Sequence, residues 1–178
     1  KTATYKYKKI KSRWIRANTN VSDWSKDGKH LYAYWKTGSK CNEIYKIDLR
    51  GKVVECLTCN HPSLPGAGST MGDESPDGRW LMFQNQKAGV KGCLKADQGQ
   101  QDIWVMDLKS PSPRSVYKVW DTKHLVLFPT FSNSGKKIFI NEMIEPGVGS
   151  DYIFGRYNLV VADFLPWPVP SLRNPVYY

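Results

Sequence analysis

The chain contains 178 residues, of which 40% are hydrophobic and 24% are charged. This length is sufficient to bury a substantial core, and the composition is typical of a globular protein and not of a disordered one. No apolar run approaches the roughly 18 residues that a membrane-spanning helix needs, so we expect no membrane span. The formal net charge of +10 raises the question of an acidic or nucleic-acid partner.

The basic charge is concentrated in residues 1–20, which are expected to form a strand or arm. Residues 1–19 hold seven Lys or Arg residues and no Asp or Glu. Tyr5, Tyr7 and Trp14 interleave with these charges, as in grooves that bind single-stranded nucleic acid. Lysines on an outer strand also discourage pairing with another sheet, and this interpretation is favoured over nucleic acid. The candidate contacts to a protein partner are Lys6, Lys8, Lys9, Lys11 and Arg13.

A six-residue motif then occurs three times, at residues 24–29, 74–79 and 131–136. Each copy has serine at its second position, called the motif serine below, and glycine at its fifth. A hydrophobic strand follows each copy directly. Two elements in a fixed order, repeated at intervals, are typical of a repeat architecture, and four-stranded antiparallel units of this kind are the blades of a β-propeller. The predicted fold class is therefore an all-β propeller. After a variable gap, each unit has a second apolar strand, which is closed by Asp48, Asp107 or Asp163.

Each motif contains a predicted hairpin turn between the first and second strands of its blade. Asp-Gly between two apolar runs favours a tight turn, because Gly adopts positive φ without steric cost and Asp tolerates it. In the third copy, Asn-Ser replaces Pro-Asp, which leaves the glycine as the main determinant. The predicted turn residues are Asp27, Gly28, Asp77, Gly78, Ser134 and Gly135.

The repeat predicts three blades, whereas a propeller usually closes with four to eight. We therefore expect a partial propeller that is completed by further chain or by another chain, with residues 1–20 belonging to a neighbouring blade. Three alternating prolines follow residue 165, and proline cannot donate to a β-ladder, so this tail is expected to be an edge strand or a polyproline-like extension. The predicted segments are blade 1 (21–64), blade 2 (65–122), blade 3 (123–165) and a Pro-rich tail (166–178).

Two glycine-rich insertions separate the second and third strands of the later blades, at residues 84–101 and 143–156. Both are predicted to lie on the same rim of the propeller. Loops held by a rigid scaffold commonly carry binding function. These two loops are therefore candidate interaction sites.

The repeat resembles that of TolB-type β-propellers over residues 21–164. The resemblance implies the propeller fold. It leaves function open, because related repeats occur in periplasmic scaffold proteins, in secreted propellers, and in the gating propeller of prolyl-oligopeptidase-like serine peptidases. The matching segments are Ser-Pro-Asp-Gly-Arg-Trp-Leu-Met-Phe at 75–83, Asp-Ile-Trp-Val-Met-Asp-Leu at 102–108, and Leu-Thr at 57–58.

The four cysteines, an even number, favour disulfides and an oxidising compartment. Cys56 and Cys59 form a C-x-x-C motif without the second such motif that a zinc site would need. Residues three apart on a strand point to opposite faces, which argues against a redox dithiol. We therefore expect one of this pair to be bonded to Cys41 or Cys93.

No group of residues predicts a catalytic, cofactor-binding or metal site. His30, His61 and His124 are scattered along the chain, and there is no G-x-S-x-G nucleophile elbow. No cofactor is expected.

The sequence favours a non-enzymatic propeller scaffold that binds another protein, or further copies or blades of the same propeller, in the periplasm or outside the cell. The alternative is the substrate-gating propeller of a prolyl-oligopeptidase-like serine peptidase whose catalytic domain lies outside these residues. Carbohydrate binding through Trp35, Trp120 or Trp167 is a third interpretation, which rests only on aromatic content.

Overall fold

The computed structural model describes residues 20–36, 41–65, 68–87, 101–121, 124–145 and 155–178. These residues form twelve strands in three four-stranded antiparallel sheets, with no helix among them. Blade 1 consists of β1 (Asn20–Trp24), β2 (His30–Lys36), β3 (Asn42–Asp48) and β4 (Val53–Cys56). Blade 2 consists of β5 (Ser69–Glu74), β6 (Trp80–Gln86), β7 (Gln101–Asp107) and β8 (Val116–Trp120). Blade 3 consists of β9 (Leu125–Phe131), β10 (Lys137–Glu145), β11 (Arg156–Leu165) and β12 (Ser171–Tyr177).

The three sheets are consecutive blades of a β-propeller. Within each sheet the strands follow chain order. The first strand of each later blade packs across the preceding blade: β5 contacts β1, β2 and β3, and β9 contacts β5, β6 and β7. The all-β propeller fold with three blades is thus confirmed.

One end of the blades, which we call the turn rim, carries the connections between first and second strands and between third and fourth strands. Antiparallel strands in chain order place these connections at the same end of every sheet. The turn rim comprises residues 25–29, 49–52, 75–79, 108–115, 132–136 and 166–170.

The three hairpin turns of the repeat have the same hydrogen bonds. The amide of Gly28 donates to the Ser25 carbonyl at 2.9 Å, and Gly78 and Gly135 repeat this bond at 2.8 Å. All three glycines have φ between 67° and 69°, the left-handed region that glycine adopts without a steric penalty. Asp27 accepts the amide of Lys29, Asp77 that of Arg79, and Ser134 that of Lys136.

The largest apolar cluster lies between blades 2 and 3. Trp80 is buried here and makes edge-to-face contacts with Phe164 and Tyr117, at centroid separations of 6.1 and 6.2 Å. Phe164 in turn contacts Phe131 at 5.1 Å. The remaining core members are Met82, Ile103, Val105, Val126, Ile138, Ile140, Val160 and Ala162.

A second cluster joins blades 1 and 2. It consists of Tyr32, Ile44, Leu57, Leu81, Phe83 and Met106. Because side chains alternate between the two faces of a strand, β6 serves both interfaces: Trp80 and Met82 face blade 3, while Leu81 and Phe83 face blade 1.

The third blade is more complete than the sequence indicates. Its fourth strand is β12, which begins after the alternating prolines and pairs with β11. Pro175 fits in this strand because β12 is outermost and its ladder with β11 is irregular between residues 173 and 176, the setting in which strands tolerate proline.

The predicted cysteine pairing is wrong. Cys56 and Cys59 are bonded to each other, with their Cα atoms 5.6 Å apart. β4 ends at Cys56, and the chain then bends, with Asn60 at a φ of 51°. The alternation of a strand therefore does not extend to residue 59. Cys41 is also disulfide-bonded, and Cys93 lies outside the described residues.

Candidate functional site

Blade 3 presents a sheet face whose equivalents in the other two blades are buried. The repeat makes Tyr32, Met82 and Phe139 equivalent, seven residues after the motif serine in each unit. Tyr32 and Met82 have no exposed surface because blade 2 and blade 3 cover them, whereas Phe139 is partly exposed. Blade 3 therefore has the interface of an internal blade without the following blade.

This open face of blade 3 comprises Phe139, Leu159, Val161, Val176 and Tyr178. Phe139 is paired with Val161, Val161 with Val176, and Leu159 exchanges backbone hydrogen bonds of 3.1 Å with Tyr178. The exposed fraction is 39% for Leu159, 46% for Val176 and 74% for Tyr178. Ile103, the counterpart of Leu159 in blade 2, is fully buried. A contiguous exposed apolar surface of this kind is a candidate interaction site.

Aspartates connect the first strands of successive blades. The Asp23 carboxylate accepts the amide of Glu74 at 3.3 Å, and the Asp73 carboxylate accepts the amide of Phe131 at 2.6 Å and the Thr130 hydroxyl at 2.9 Å. Burial raises the pKa of Asp73 to about 6, and the nearby Asp23 carboxylate acts in the same direction. These bonds fix each blade to the next at the inner strands.

A charged cavity of about 350 Å³ opens on the turn rim between blades 1 and 2. Tyr32 and Glu74 are buried in its wall, and the amide of Lys26 donates to Glu74 Oε2 at 2.6 Å. The other charged side chains around it are Asp27, Lys46, Glu55, Asp77, Lys109 and Arg114.

The structure describes only some of the residues that the sequence predicts to be interaction sites. Lys6, Lys8, Lys9, Lys11 and Arg13 lie outside the described residues, as do 88–100 and 146–154 of the two rim loops. The six turn residues lie on the turn rim, where Asp27, Asp77 and Gly78 also line the cavity between blades 1 and 2.

Within the described ranges, no three His, Cys, Asp or Glu side chains are grouped as they would be to hold a metal ion. The same ranges contain no helix that is long and apolar enough to span a membrane.

The sequence analysis predicted an incomplete propeller but not the residues of its open face, and it missed the cavity. The alternation in β2 and β10 showed which side chains share a face, but not which blade covers that face. The one available signal was the repeat itself, because equivalent positions carry Tyr32 and Lys46 in blade 1 but Met82 and Val105 in blade 2.

Comparison with known proteins identifies the fold. A TolB structure from Agrobacterium tumefaciens superposes with a TM-score of 0.56 at 21% identity, over 92% of this chain and 51% of that one. The TolB structure from Acinetobacter baumannii superposes with a TM-score of 0.54 at 19% identity, over 88% of this chain and 33% of that one. The chain therefore has the fold of a TolB-type β-propeller, of which it supplies three blades.

Sequence comparison adds one relative. An uncharacterized protein of Agrobacterium fabrum is 31% identical over 116 residues, which are 65% of this chain and 33% of that protein. No protein-family model matches the sequence. The chain spans about half or less of the length of the proteins it resembles.

Proposed function

We propose that this chain is a propeller scaffold that assembles with further propeller blades and has no catalytic task of its own. The observation that carries the proposal is the open face of blade 3. Its side chains occupy the positions that are buried between blades 1 and 2 and between blades 2 and 3. The occupant of this face is a further propeller blade, supplied by additional chain or by another copy.

The chemistry of the face supports this occupant. A following blade would contribute to the interface a first strand and aliphatic side chains, as β9, Ile138 and Ile140 do for blade 2. Burial of apolar area is the main favourable term in such an association, at roughly 25 cal/mol for each Å². The open face presents Leu159 and Val161 for that purpose.

The compartment is proposed to be extracytoplasmic. Cys56 and Cys59 are bonded to each other, and Cys41 is bonded as well. Structural disulfides form and persist in oxidising environments such as the periplasm or the extracellular space. This supports a periplasmic or secreted protein.

The assembly is tested by placing a charge on the open face. Leu159→Arg introduces a cation where a following blade would bury an aliphatic side chain, and we expect it to abolish association in sedimentation velocity experiments. Val54→Arg is the control, because Val54 is an exposed valine of the outer strand of blade 1. Association of Leu159→Arg equal to that of the unmodified chain would contradict the proposal.

A further inference from the structure

The cavity between blades 1 and 2 contains a buried carboxylate without a charged partner. Glu74 is 5% exposed. Among the described residues, no side-chain nitrogen of Lys, Arg or His lies within 4 Å of its carboxylate, which accepts a hydrogen bond from the backbone amide of Lys26. Buried carboxylates in proteins are ordinarily paired with a cation. The neighbouring cations are engaged elsewhere: Lys46 with Asp27 at 3.5 Å, Arg114 with Glu55 at 2.8 Å, and Lys26 with Asp23 at 3.3 Å.

A buried hydroxyl without a hydrogen-bond partner lies in the same wall. Tyr32 has no exposed surface, and its phenolic oxygen makes no hydrogen bond to any described group. The Ser25 hydroxyl and the Glu74 carboxylate are its nearest polar neighbours, but neither meets the geometry of a hydrogen bond to it. Leaving a buried hydroxyl without a hydrogen-bond partner destabilises a protein. A group that enters the cavity would supply the missing partner.

The next junction of the propeller shows that these polar groups are not a requirement of the fold. At the interface of blades 2 and 3, Met82 takes the place of Tyr32 and Phe131 takes the place of Glu74. Pro76, which has no amide hydrogen, takes the place of Lys26, whose amide binds Glu74. Two polar side chains and one backbone donor of the first junction are therefore all replaced in the second by groups that cannot form these contacts. This is expected if the three groups act together in the first junction.

We propose that this cavity binds an organic cation, a guanidinium or primary ammonium group, with Glu74 as the counter-ion and the Tyr32 oxygen as a hydrogen-bond acceptor. Asp77 lines the same cavity without an ion pair to a described residue and adds a second negative charge. Lys109 is the remaining cation of the lining; it forms no ion pair with a described residue, and it lies with Leu108 and Arg114 on the side of blade 2. The volume of about 350 Å³ accommodates the end of an arginine or lysine side chain. The site rests on blades 1 and 2 and does not depend on assembly at blade 3.

Calorimetric titration of the full chain at low ionic strength tests the site. Three probes are used. Agmatine represents a free cation, a short peptide with capped ends and one arginine represents a side chain of a protein, and the same peptide with citrulline in place of arginine is the uncharged isostere. We expect saturable binding of both guanidinium probes and none of citrulline. Tighter binding of the peptide assigns the site to a partner's basic side chain, and tighter binding of agmatine assigns it to a small free cation.

Two variants locate the binding. Glu74→Gln keeps an acceptor for the Lys26 amide and removes the charge, so affinity should fall by about tenfold or more, the factor that corresponds to a charge-assisted hydrogen bond. Tyr32→Phe removes only the hydroxyl; we expect weaker binding by severalfold and a more stable protein without ligand. The matched controls are Glu145→Gln and Tyr177→Phe, both at exposed positions.

Several results would overturn the proposal. If neither guanidinium probe binds, the cavity holds water only. Equal affinity in Glu74→Gln and the unmodified chain would place any binding elsewhere, and equal binding of citrulline would exclude recognition of charge. Because the readout is binding to blades 1 and 2, a failure here is distinguishable from a failure of association at Leu159.

Discussion

Asp23 and Asp73 hold equivalent positions in the first strands of blades 1 and 2, two residues before the motif serine. Each accepts a backbone amide of the next blade, so the repeat carries its own inter-blade contact. In blade 3 the equivalent residue is Thr130, whose hydroxyl donates a hydrogen bond to the Asp73 carboxylate. The Asp23 carboxylate is also near enough to disfavour ionisation of Asp73, and it contributes to the raised pKa of Asp73.

The raised pKa of Asp73 makes stability depend on pH. The folded-state pKa is about 6, against an ordinary value of 3.8. The folded state therefore takes up a proton more readily than the unfolded state, and the contribution of Asp73 to stability is fully present below pH 3.8 and is lost as pH rises through about 6. We expect the stability of the unmodified chain, relative to Asp73→Asn, to increase as pH falls from 7.5 towards 4, measured by urea denaturation.

Asp163 provides a control because its pKa is shifted in the opposite direction. Its hydrogen bond to the Lys137 ammonium group, at 2.7 Å, and a second from Asn174 hold its pKa below the ordinary value. The stability that it contributes should be present at neutral pH and lost as pH falls below about 4. If the stability of the unmodified chain relative to Asp73→Asn decreased as pH falls, as expected for Asp163, the account of Asp73 would be contradicted.

At the scale of elements, the blades are joined by strands that contribute to two cores. β6 alternates between the core shared with blade 1 and the core shared with blade 3. Gln84, on the side of blade 3, donates its side-chain amide to the Val126 carbonyl and accepts the Thr70 hydroxyl at 2.9 Å. Apolar packing and a satisfied buried amide thus hold blades 2 and 3 together.

Trp80 is the side chain whose removal should affect this interface most. It is 4% exposed and contacts Phe164 of the next blade, so Trp80→Ala leaves a cavity between blades. We expect a loss of about 3–5 kcal/mol in the free energy of unfolding, the usual range for a buried aromatic residue. Chemical denaturation measures this loss.

Trp167→Ala is the matched control for Trp80. Trp167 is 76% exposed, and substitution at such a position usually changes stability by no more than about 0.5 kcal/mol. If both tryptophan variants lost the same stability, the assignment of the core between blades 2 and 3 would be incorrect.

The elements differ in how far the sequence predicts them. The hairpin turns were predictable because they depend on a local sequence, Asp-Gly, in which Gly28 and Gly78 adopt the positive φ that the turn requires. The C-x-x-C pairing was not, because it depends on where β4 ends and the chain bends. For the Pro-rich tail the prolines allowed an edge strand or a polyproline-like extension, and β12 is an edge strand, the position in which a strand tolerates proline.

For the whole molecule, the repeat predicted three blades and an incomplete ring, and the structure has three blades with an open final face. The cavity between blades 1 and 2 depends on contacts between residues about 40 to 60 positions apart, such as Lys26 with Glu74 and Glu55 with Arg114. No local pattern encodes which blade covers which face. The sequence therefore predicts the architecture better than the surfaces that it forms.

The native mass of the unmodified chain in solution, measured by light scattering across a range of concentrations, tests the central claim most directly. The mass of one chain is 20.4 kDa. If the open face of blade 3 binds a further blade, the native mass should exceed that of one chain and increase with concentration. A monodisperse species of 20.4 kDa that unfolds cooperatively would show that three blades are stable alone, and would contradict the account.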